Sequence, residues 1–123
     1  MKVPILKLGP YLIASVQESL TDADLLTLET ELSQKVGQFG SRGVVVDVAA
    51  LDVMDSFSTR MLRDISQVTR LRGAETVITG IQPEVAFTMV QLGLRLNGVT
   101  TTLDLEESLA YLEARLKAKD DDR

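Results

Sequence analysis

GVVVDV at residues 43–48 and MDSFST at residues 54–59 are the two stretches that decide the fold of this chain. The first is an almost unbroken β-branched run, which is typical of a strand covered on both faces. Beyond the second stretch, apolar residues recur at helical spacing until Gly73, so we expect a helix to begin near Asp55. A buried central strand that leads through a short connector into a helix indicates an α/β arrangement.

The residues before the central strand predict a hairpin and a first helix. Two short apolar segments, residues 5–8 and 11–16, flank Gly9-Pro10, a dipeptide typical of a tight turn. A helix follows, with apolar residues at spacings of three and four. Thr21 or Asp22 is its predicted N-cap, and Gly37 and Gly40 are predicted to end it. Its apolar positions are Leu25, Leu28, Leu32 and Val36.

The residues after the second helix continue the alternation of strands and helices. We predict a strand at residues 75–79, a third helix from Pro83 to Asn97-Gly98, a strand at residues 100–103, and a fourth helix capped by Asp104. Because an initial hairpin precedes this alternation, the sheet should be mixed.

The expected fold is therefore α/β, with a mixed β-sheet opened by an N-terminal hairpin and packed against about four helices. No internal repeat or low-complexity linker divides the chain. We expect a single domain over residues 1–118 and a disordered acidic tail over residues 119–123.

The composition excludes several classes of function. The chain has 123 residues with 13 basic and 18 acidic side chains, a net charge of −5, and no basic stripe of the kind that binds nucleic acid. Without Cys or His, disulfides and thiolate metal sites are excluded, and the commonest metal ligand and general base are missing. We expect no cofactor, no resident metal and no enzymatic activity.

Two absences predict the location of the protein. The first residues lack the length and cleavage pattern of a signal peptide, and no apolar stretch reaches the ~18 residues that a membrane span requires. We therefore expect a soluble, cytoplasmic protein that associates with neither membrane nor nucleic acid.

The start of the second helix is the strongest candidate site. Asp55 is suited to the N-cap, which places Ser56 in the first turn, where free N–H groups and the helix dipole stabilise a phosphate. Ser56 is therefore the predicted phosphorylation site, with Ser58 and Thr59 as secondary candidates. The competing interpretation is that all three are ordinary small polar residues at a helix start.

Other candidate sites have weaker patterns. The glycines at positions 37, 40 and 43 follow a helix rather than a strand, so they predict a loop and not a phosphate cradle. Asp47, Asp52 and Asp55 lack the spacing of a Ca²⁺-binding loop. Met61 and Met89 are expected in the core, whereas Met54 and Phe57 flank the proposed phosphorylation site.

The segment from Val44 to Ser56 resembles the phosphorylation segment of STAS domains, a family that includes bacterial anti-sigma-factor antagonists. In the small antagonists, the Asp-Ser pair is usually followed by Ser or Thr and then Gly. Phe57 and Ser58 occupy those places here. This departure argues against a simple anti-sigma-factor antagonist.

Three separated motifs resemble the RsbS group of that family, the single-domain scaffolds of the stressosome. They are PILKL at residues 4–8, DSF at residues 55–57 and TGIQPEVA at residues 79–86. RsbR-type proteins share the last motif, but they carry an additional N-terminal sensory domain and typically have Thr after the Asp. Because this chain begins at its first strand and has Ser56, the RsbS group is favoured.

The resemblance implies a set of partners. These are an RsbT-type serine/threonine kinase, RsbR-type STAS proteins in a large assembly, a dedicated phosphatase, and a second copy in a homodimer formed through STAS contacts. The implied kinase-binding surface is Met54, Asp55, Ser56 and Phe57, and phosphorylation of Ser56 would release the kinase.

Two other classes of function stay open at the level of sequence. One is a small-molecule or nucleotide-binding regulatory module, because a loop between strand and helix can also cradle an anion. The other is an enzyme that uses Asp and Glu alone, which the absence of His and Cys makes a weak candidate.

Overall fold

The computed structural model describes residues 3–121 and confirms the predicted α/β fold with its mixed sheet and four helices. The elements follow one another as expected from the hydrophobic pattern. They are β1 (Ile5–Leu8), β2 (Tyr11–Ser15), α1 (Asp22–Phe39), β3 (Gly43–Asp47), α2 (Ser56–Leu71), β4 (Glu75–Thr79), α3 (Pro83–Gln91), β5 (Thr100–Thr102) and α4 (Leu105–Asp121).

The five strands form one sheet in the order β1-β2-β3-β4-β5. The hairpin pair β1 and β2 is antiparallel, whereas β2, β3, β4 and β5 are parallel to one another. In the middle of the sheet, Val45 is in register with Ile13 on one side and Val77 on the other. The carboxyl ends of the four parallel strands share one edge, and the connector from β3 to α2 leaves from that edge.

The central strand β3 is buried on both faces, as its β-branched run predicts. Alternate residues point to opposite faces, so Val44 and Val46 belong to a larger core and Val45 to a smaller one. The larger core includes residues of α1, α2 and α3. The smaller core lies under α4 and consists of Ile13, Val45, Val77 and Leu112.

Two helices end at positions other than those predicted. Helix α1 continues through Gly37 to Phe39, and Gly40 caps it in the left-handed conformation at φ 60°. Helix α3 ends at Gln91, earlier than the predicted stop at residues 97–98. Its end comes early because Gly93 turns the chain at φ 70°, and the Leu94 N–H then bonds back to the Met89 carbonyl at 2.8 Å.

The predicted disordered tail is wrong where the structure describes it. Helix α4 continues to Asp121, so residues 119–121 are helical. Arg42 forms two hydrogen bonds to the Asp120 carboxylate, at 3.0 and 3.3 Å, which ties the end of α4 to the start of β3. Residues 122 and 123 lie outside the described residues. Between residues 3 and 121, no helix combines the length and apolar character needed to cross a membrane.

Replacing Leu112 by Ala should destabilise the chain strongly, because Leu112 is the fully buried residue through which α4 covers the smaller core. We expect a loss of about 2–5 kcal/mol in the free energy of unfolding, measured by urea denaturation. Leu105→Ala on the same helix is the control, because Leu105 is 38% exposed and should cost less than about 1 kcal/mol. Equal losses for the two variants would contradict the assigned role of Leu112.

Candidate functional site

Asp55 is the N-cap of α2, as the sequence predicts. Its backbone is extended, and its carboxylate accepts two hydrogen bonds from Ser58, one from the backbone N–H at 2.7 Å and one from the hydroxyl at 2.8 Å. The Asp55 carbonyl accepts the first helical bond, from the Thr59 N–H at 3.0 Å. The cap therefore sets where α2 begins.

The cap also keeps Asp55 ionised. The hydrogen bonds from the Ser58 backbone and side chain lower the pKa of the Asp55 carboxyl below its ordinary value of 3.8. At neutral pH a full negative charge therefore lies at the residue that precedes Ser56.

Ser56 is the first residue of α2, and its side chain is exposed. Among residues 3–121, no group is hydrogen-bonded to its hydroxyl. The N–H groups of the first turn have no acceptor within the helix, and the Asp55 carboxylate accepts that of Ser58. Ser56 is thus reachable by an enzyme, and its surroundings tolerate an added anion.

The hydroxyls of the two secondary phosphoacceptor candidates, Ser58 and Thr59, already form hydrogen bonds. The Ser58 side chain is half-buried, and its hydroxyl donates to Asp55. Thr59 is 2% exposed, and its hydroxyl donates to the Asp55 carbonyl at 2.9 Å. A kinase cannot reach Thr59 without local unfolding, so Thr59 is not an accessible phosphoacceptor in the folded chain.

One of the four residues predicted to form the kinase-binding surface is not on the surface. The side chain of Met54 is 3% exposed and belongs to the larger core, so its predicted place on the surface is wrong. Phe57 is half-buried beside the exposed Asp55 and Ser56. Val53, which the sequence interpretation missed, is 66% exposed. An apolar residue in a connector has no periodicity to reveal its orientation, so only the structure distinguishes Val53 from Met54.

The connector between β3 and α2 is held by residues of two elements. The Asp47 carboxylate accepts the Ala49 N–H at 2.9 Å, and the Leu51 N–H bonds to the Val48 carbonyl at 3.0 Å. From the β4–α3 loop, the Gln82 side chain donates to the Ala49 carbonyl at 2.8 Å. The sequence interpretation placed Gln82 in the TGIQPEVA motif but not at the connector, because nothing in a linear pattern pairs residues 49 and 82.

A small pocket lies beside the cap. Its volume is about 110 Å³, and its lining is mostly apolar, with Asp55 and Ser58 among its polar members. Drug-sized ligands occupy pockets of about 300–1,000 Å³, so this one does not accommodate a nucleotide. Its apolar lining residues are Val16, Leu20, Leu25, Val48, Leu51, Val53 and Leu62.

The remaining candidate residues have structural positions. The three glycines do not form one loop, because Gly37 is within α1, Gly40 is its C-cap, and Gly43 is in β3 against Leu112. Within residues 3–121, no three acidic side chains are grouped as metal ligands. Met61 and Met89 are buried, as expected for core residues.

The sequence matches the model of a known domain family over most of its length. Residues 3–108 match the STAS domain. The chain belongs to the STAS domain family. The resemblance observed in the motifs is thereby confirmed, and the STAS match includes β1 to β5 together with the site at Ser56.

Relatives of this STAS domain include RsbT co-antagonist proteins. The RsbT co-antagonist protein RsbRA of Bacillus subtilis (strain 168) is 30% identical over 117 residues, which are 88% of this chain and 42% of RsbRA. RsbRD of the same organism is 33% identical over 72 residues, 58% of this chain and 26% of RsbRD. The chain thus spans less than half the length of either relative.

Solved structures extend the similarity to RsbS. A serine-to-glutamate variant of RsbS from Moorella thermoacetica has a TM-score of 0.79 and 36% identity, covering 94% of this STAS domain and 97% of that chain. A chain from a structure of the stressosome, described as a signal integration and transduction hub, has a TM-score of 0.73 and 35% identity, covering 92% and 98% of the two chains. The anti-sigma factor antagonist SpoIIAA shares the fold, at 14% identity and a TM-score of 0.67.

Replacing Asp55 by Ala should destabilise the STAS domain by about 1 kcal/mol, because two hydrogen bonds at the start of α2 are lost. Asp55→Asn retains an acceptor at the N-cap and should stay within a few tenths of a kcal/mol of the wild type at pH 7. Urea denaturation measures both values. Equal losses for the two variants would contradict the capping role.

The contribution of the Asp55 charge should also depend on pH. Because folding lowers the pKa of Asp55, the stabilisation is fully present above the unfolded value of 3.8 and is lost as pH falls through the folded pKa. The stability difference between the wild type and Asp55→Ala should therefore shrink in urea titrations below about pH 4. A difference that stays constant down to pH 2 would contradict this assignment.

Proposed function

We propose that this STAS domain is a phosphorylatable stressosome scaffold that holds an RsbT-type serine/threonine kinase and releases it when Ser56 is phosphorylated. The observation that carries the proposal is the exposed, unbonded hydroxyl of Ser56 at the first position of a helix capped by Asp55. The kinase-binding surface consists of Val53, Asp55, Ser56 and Phe57, with Met54 supporting it from the core.

The chemistry of a phosphate at Ser56 favours a switch. A phosphoserine adds about −1.5 to −2 charges and three acceptor oxygens. The first turn of α2 tolerates this group, because the positive end of the helix dipole attracts anions and the Ser56 side chain is exposed. A partner surface packed on Ser56 would instead have to accommodate both the added bulk and the charge beside Asp55. Phosphorylation therefore weakens the complex and leaves the scaffold folded.

The similar proteins support the proposal of a stressosome scaffold that acts on an RsbT-type kinase. RsbRA is named as a co-antagonist of RsbT, and the chains of the stressosome structure and of RsbS cover almost the whole of this domain. The proposal accordingly includes assembly with RsbR-type STAS proteins, a homodimer through STAS contacts, and a dedicated phosphatase that resets Ser56.

The site favours a binding function over catalysis. The chain contains neither His nor Cys, and the one carboxylate at the start of α2 is engaged in capping. A general acid or base requires a group free to exchange protons near neutral pH. The lowered pKa of Asp55 makes it unsuited to that role.

The decisive experiment follows phosphate transfer and kinase binding together. Purified domain is incubated with ATP and a purified RsbT-type kinase, and intact-mass and peptide mass spectrometry locate the phosphate. We expect a single phosphate on Ser56 in the wild type, none on Ser56→Ala, and normal modification of Ser58→Ala, the matched control two residues away. A Ser56→Ala variant that is modified at the wild-type rate would refute the assignment.

Kinase binding is measured by titration calorimetry on the unmodified domain, the phosphorylated domain and Ser56→Asp. We expect affinity to fall by about tenfold or more in the last two, because a charge is placed within the contact surface. Unchanged affinity would contradict the switch. A thermal-shift screen in which a small molecule stabilises the domain saturably, with no effect of phosphorylation, would instead favour a ligand-binding module.

A further inference from the structure

The N-cap of α3 has a side chain that does not cap its own helix. Gln82 is the N-cap residue, yet it makes no side-chain capping bond. Its amide instead donates to the carbonyl of Ala49 at 2.8 Å, in the connector that leads to the phosphorylation site. Glutamine is not a favoured capping residue, and Pro83 follows at the first position of α3, so the Gln82 side chain is available to bond to the connector.

The rest of the β4–α3 loop approaches the same part of the connector. Gly80 adopts φ 82°, and a Cβ atom there would lie only 2.8 Å from the Cβ atom of Ala49. The Val48 N–H bonds to the Thr79 carbonyl at 3.0 Å. Glycine is thus required at position 80 for both its conformation and its lack of a side chain. The loop and the first residues of the connector form one packed unit.

The two halves of the connector are held in different ways. The half nearer α2 is anchored by burial, since Leu51 and Met54 are 8% and 3% exposed. The half nearer β3 begins at Val48, which is buried and whose N–H bonds to the Thr79 carbonyl, whereas the next two residues, Ala49 and Ala50, are exposed. Ala49 itself is held by two side-chain hydrogen bonds, from its N–H to the Asp47 carboxylate and from the Gln82 amide to its carbonyl.

We propose that the β4–α3 loop is a positioning clamp for the phosphorylation site, in which Gln82 fixes the connector so that Asp55 and Ser56 are presented to the kinase in one conformation. The inference rests on the proposed function of Ser56. Gln82 is a positioning residue, because its described bond is to the connector and not to Ser56. The clamp also connects the TGIQPEVA motif at residues 79–86 physically to the connector that precedes the DSF motif at residues 55–57.

The clamp makes a quantitative prediction for kinase recognition. A hydrogen bond of this type contributes enough to shift a local equilibrium by up to about tenfold. When only a fraction of molecules presents the site correctly, the apparent affinity falls in proportion to that fraction. Loss of the clamp should therefore raise the KM of the kinase for this substrate by about two- to fivefold, the larger change applying where the wild type is itself partly unclamped, while kcat stays within about twofold.

The experiment compares Gln82→Ala and Gln82→Glu with the control Gln91→Ala. Alanine at position 82 removes the bond to Ala49 without uncapping α3, because Gln82 makes no capping bond. Glutamate places an acceptor where a donor is needed and should act in the same direction. Gln91 is an exposed glutamine at the other end of the same helix and should have no effect on either readout.

The first readout needs no kinase. Amide hydrogen exchange of residues 49–56 should accelerate by about five- to tenfold in both Gln82 variants and stay at the wild-type rate in Gln91→Ala. Unchanged exchange in the Gln82 variants would overturn the clamp. Hydrogen exchange tests the clamp even if the kinase does not phosphorylate the wild type. Absence of phosphorylation would refute the proposed function of Ser56 but not the clamp.

The second readout is the steady-state kinetics of phosphate transfer to Ser56, at a temperature where thermal unfolding shows every variant folded. A raised KM with nearly constant kcat supports the clamp. A KM within twofold of the wild type, despite faster amide exchange, would overturn the positioning role and leave Gln82 as a stabilising residue only.

Discussion

Burial of the central strand on both faces is the constraint on which the rest of this structure depends. Val44, Val45 and Val46 are completely removed from solvent, so apolar layers must cover both sides of β3. Helices α1, α2 and α3 supply one layer and α4 supplies the other. The chain must then leave β3 at the carboxyl edge and enter α2 there, which places the connector and Ser56 at the edge where open α/β sheets bind their partners.

At that edge, a single capping residue assigns different roles to three neighbouring hydroxyl groups. Asp55 accepts both hydrogen bonds from Ser58, and its carbonyl accepts the hydroxyl of Thr59. Ser56 takes no part in the cap and faces solvent. The start of α2 itself therefore makes these three hydroxyls differ in exposure and hydrogen bonding.

The second sequence motif acquires its role from the same edge. Thr79 ends β4, the strand beside β3, and the loop that follows, residues 80–82, lies against the β3–α2 connector. Gly80 permits the close approach and Gln82 contributes the hydrogen bond. Segments that are more than 20 residues apart in the chain thus become one unit at the sheet edge, as the register of β3 with β4 requires.

The sequence alone determined the α/β class, the nature of each element, and the capping role of Asp55 with Ser56 after it. These follow from local signals: β-branched runs, helical periodicity, and the chemistry of a helix start. The helical continuation to Asp121 is accompanied by the bond of Arg42 to Asp120 across the fold, and it was not predicted. The early end of α3 is local, and the sequence interpretation missed the turn at Gly93. The direction in which a side chain points, and the hydrogen bonds between residues distant in the chain, were also decided by the tertiary structure alone. Packing turns Met54 inward and Val53 outward, buries Thr59, and brings Gln82 to Ala49, because each outcome depends on neighbours that are distant in the chain.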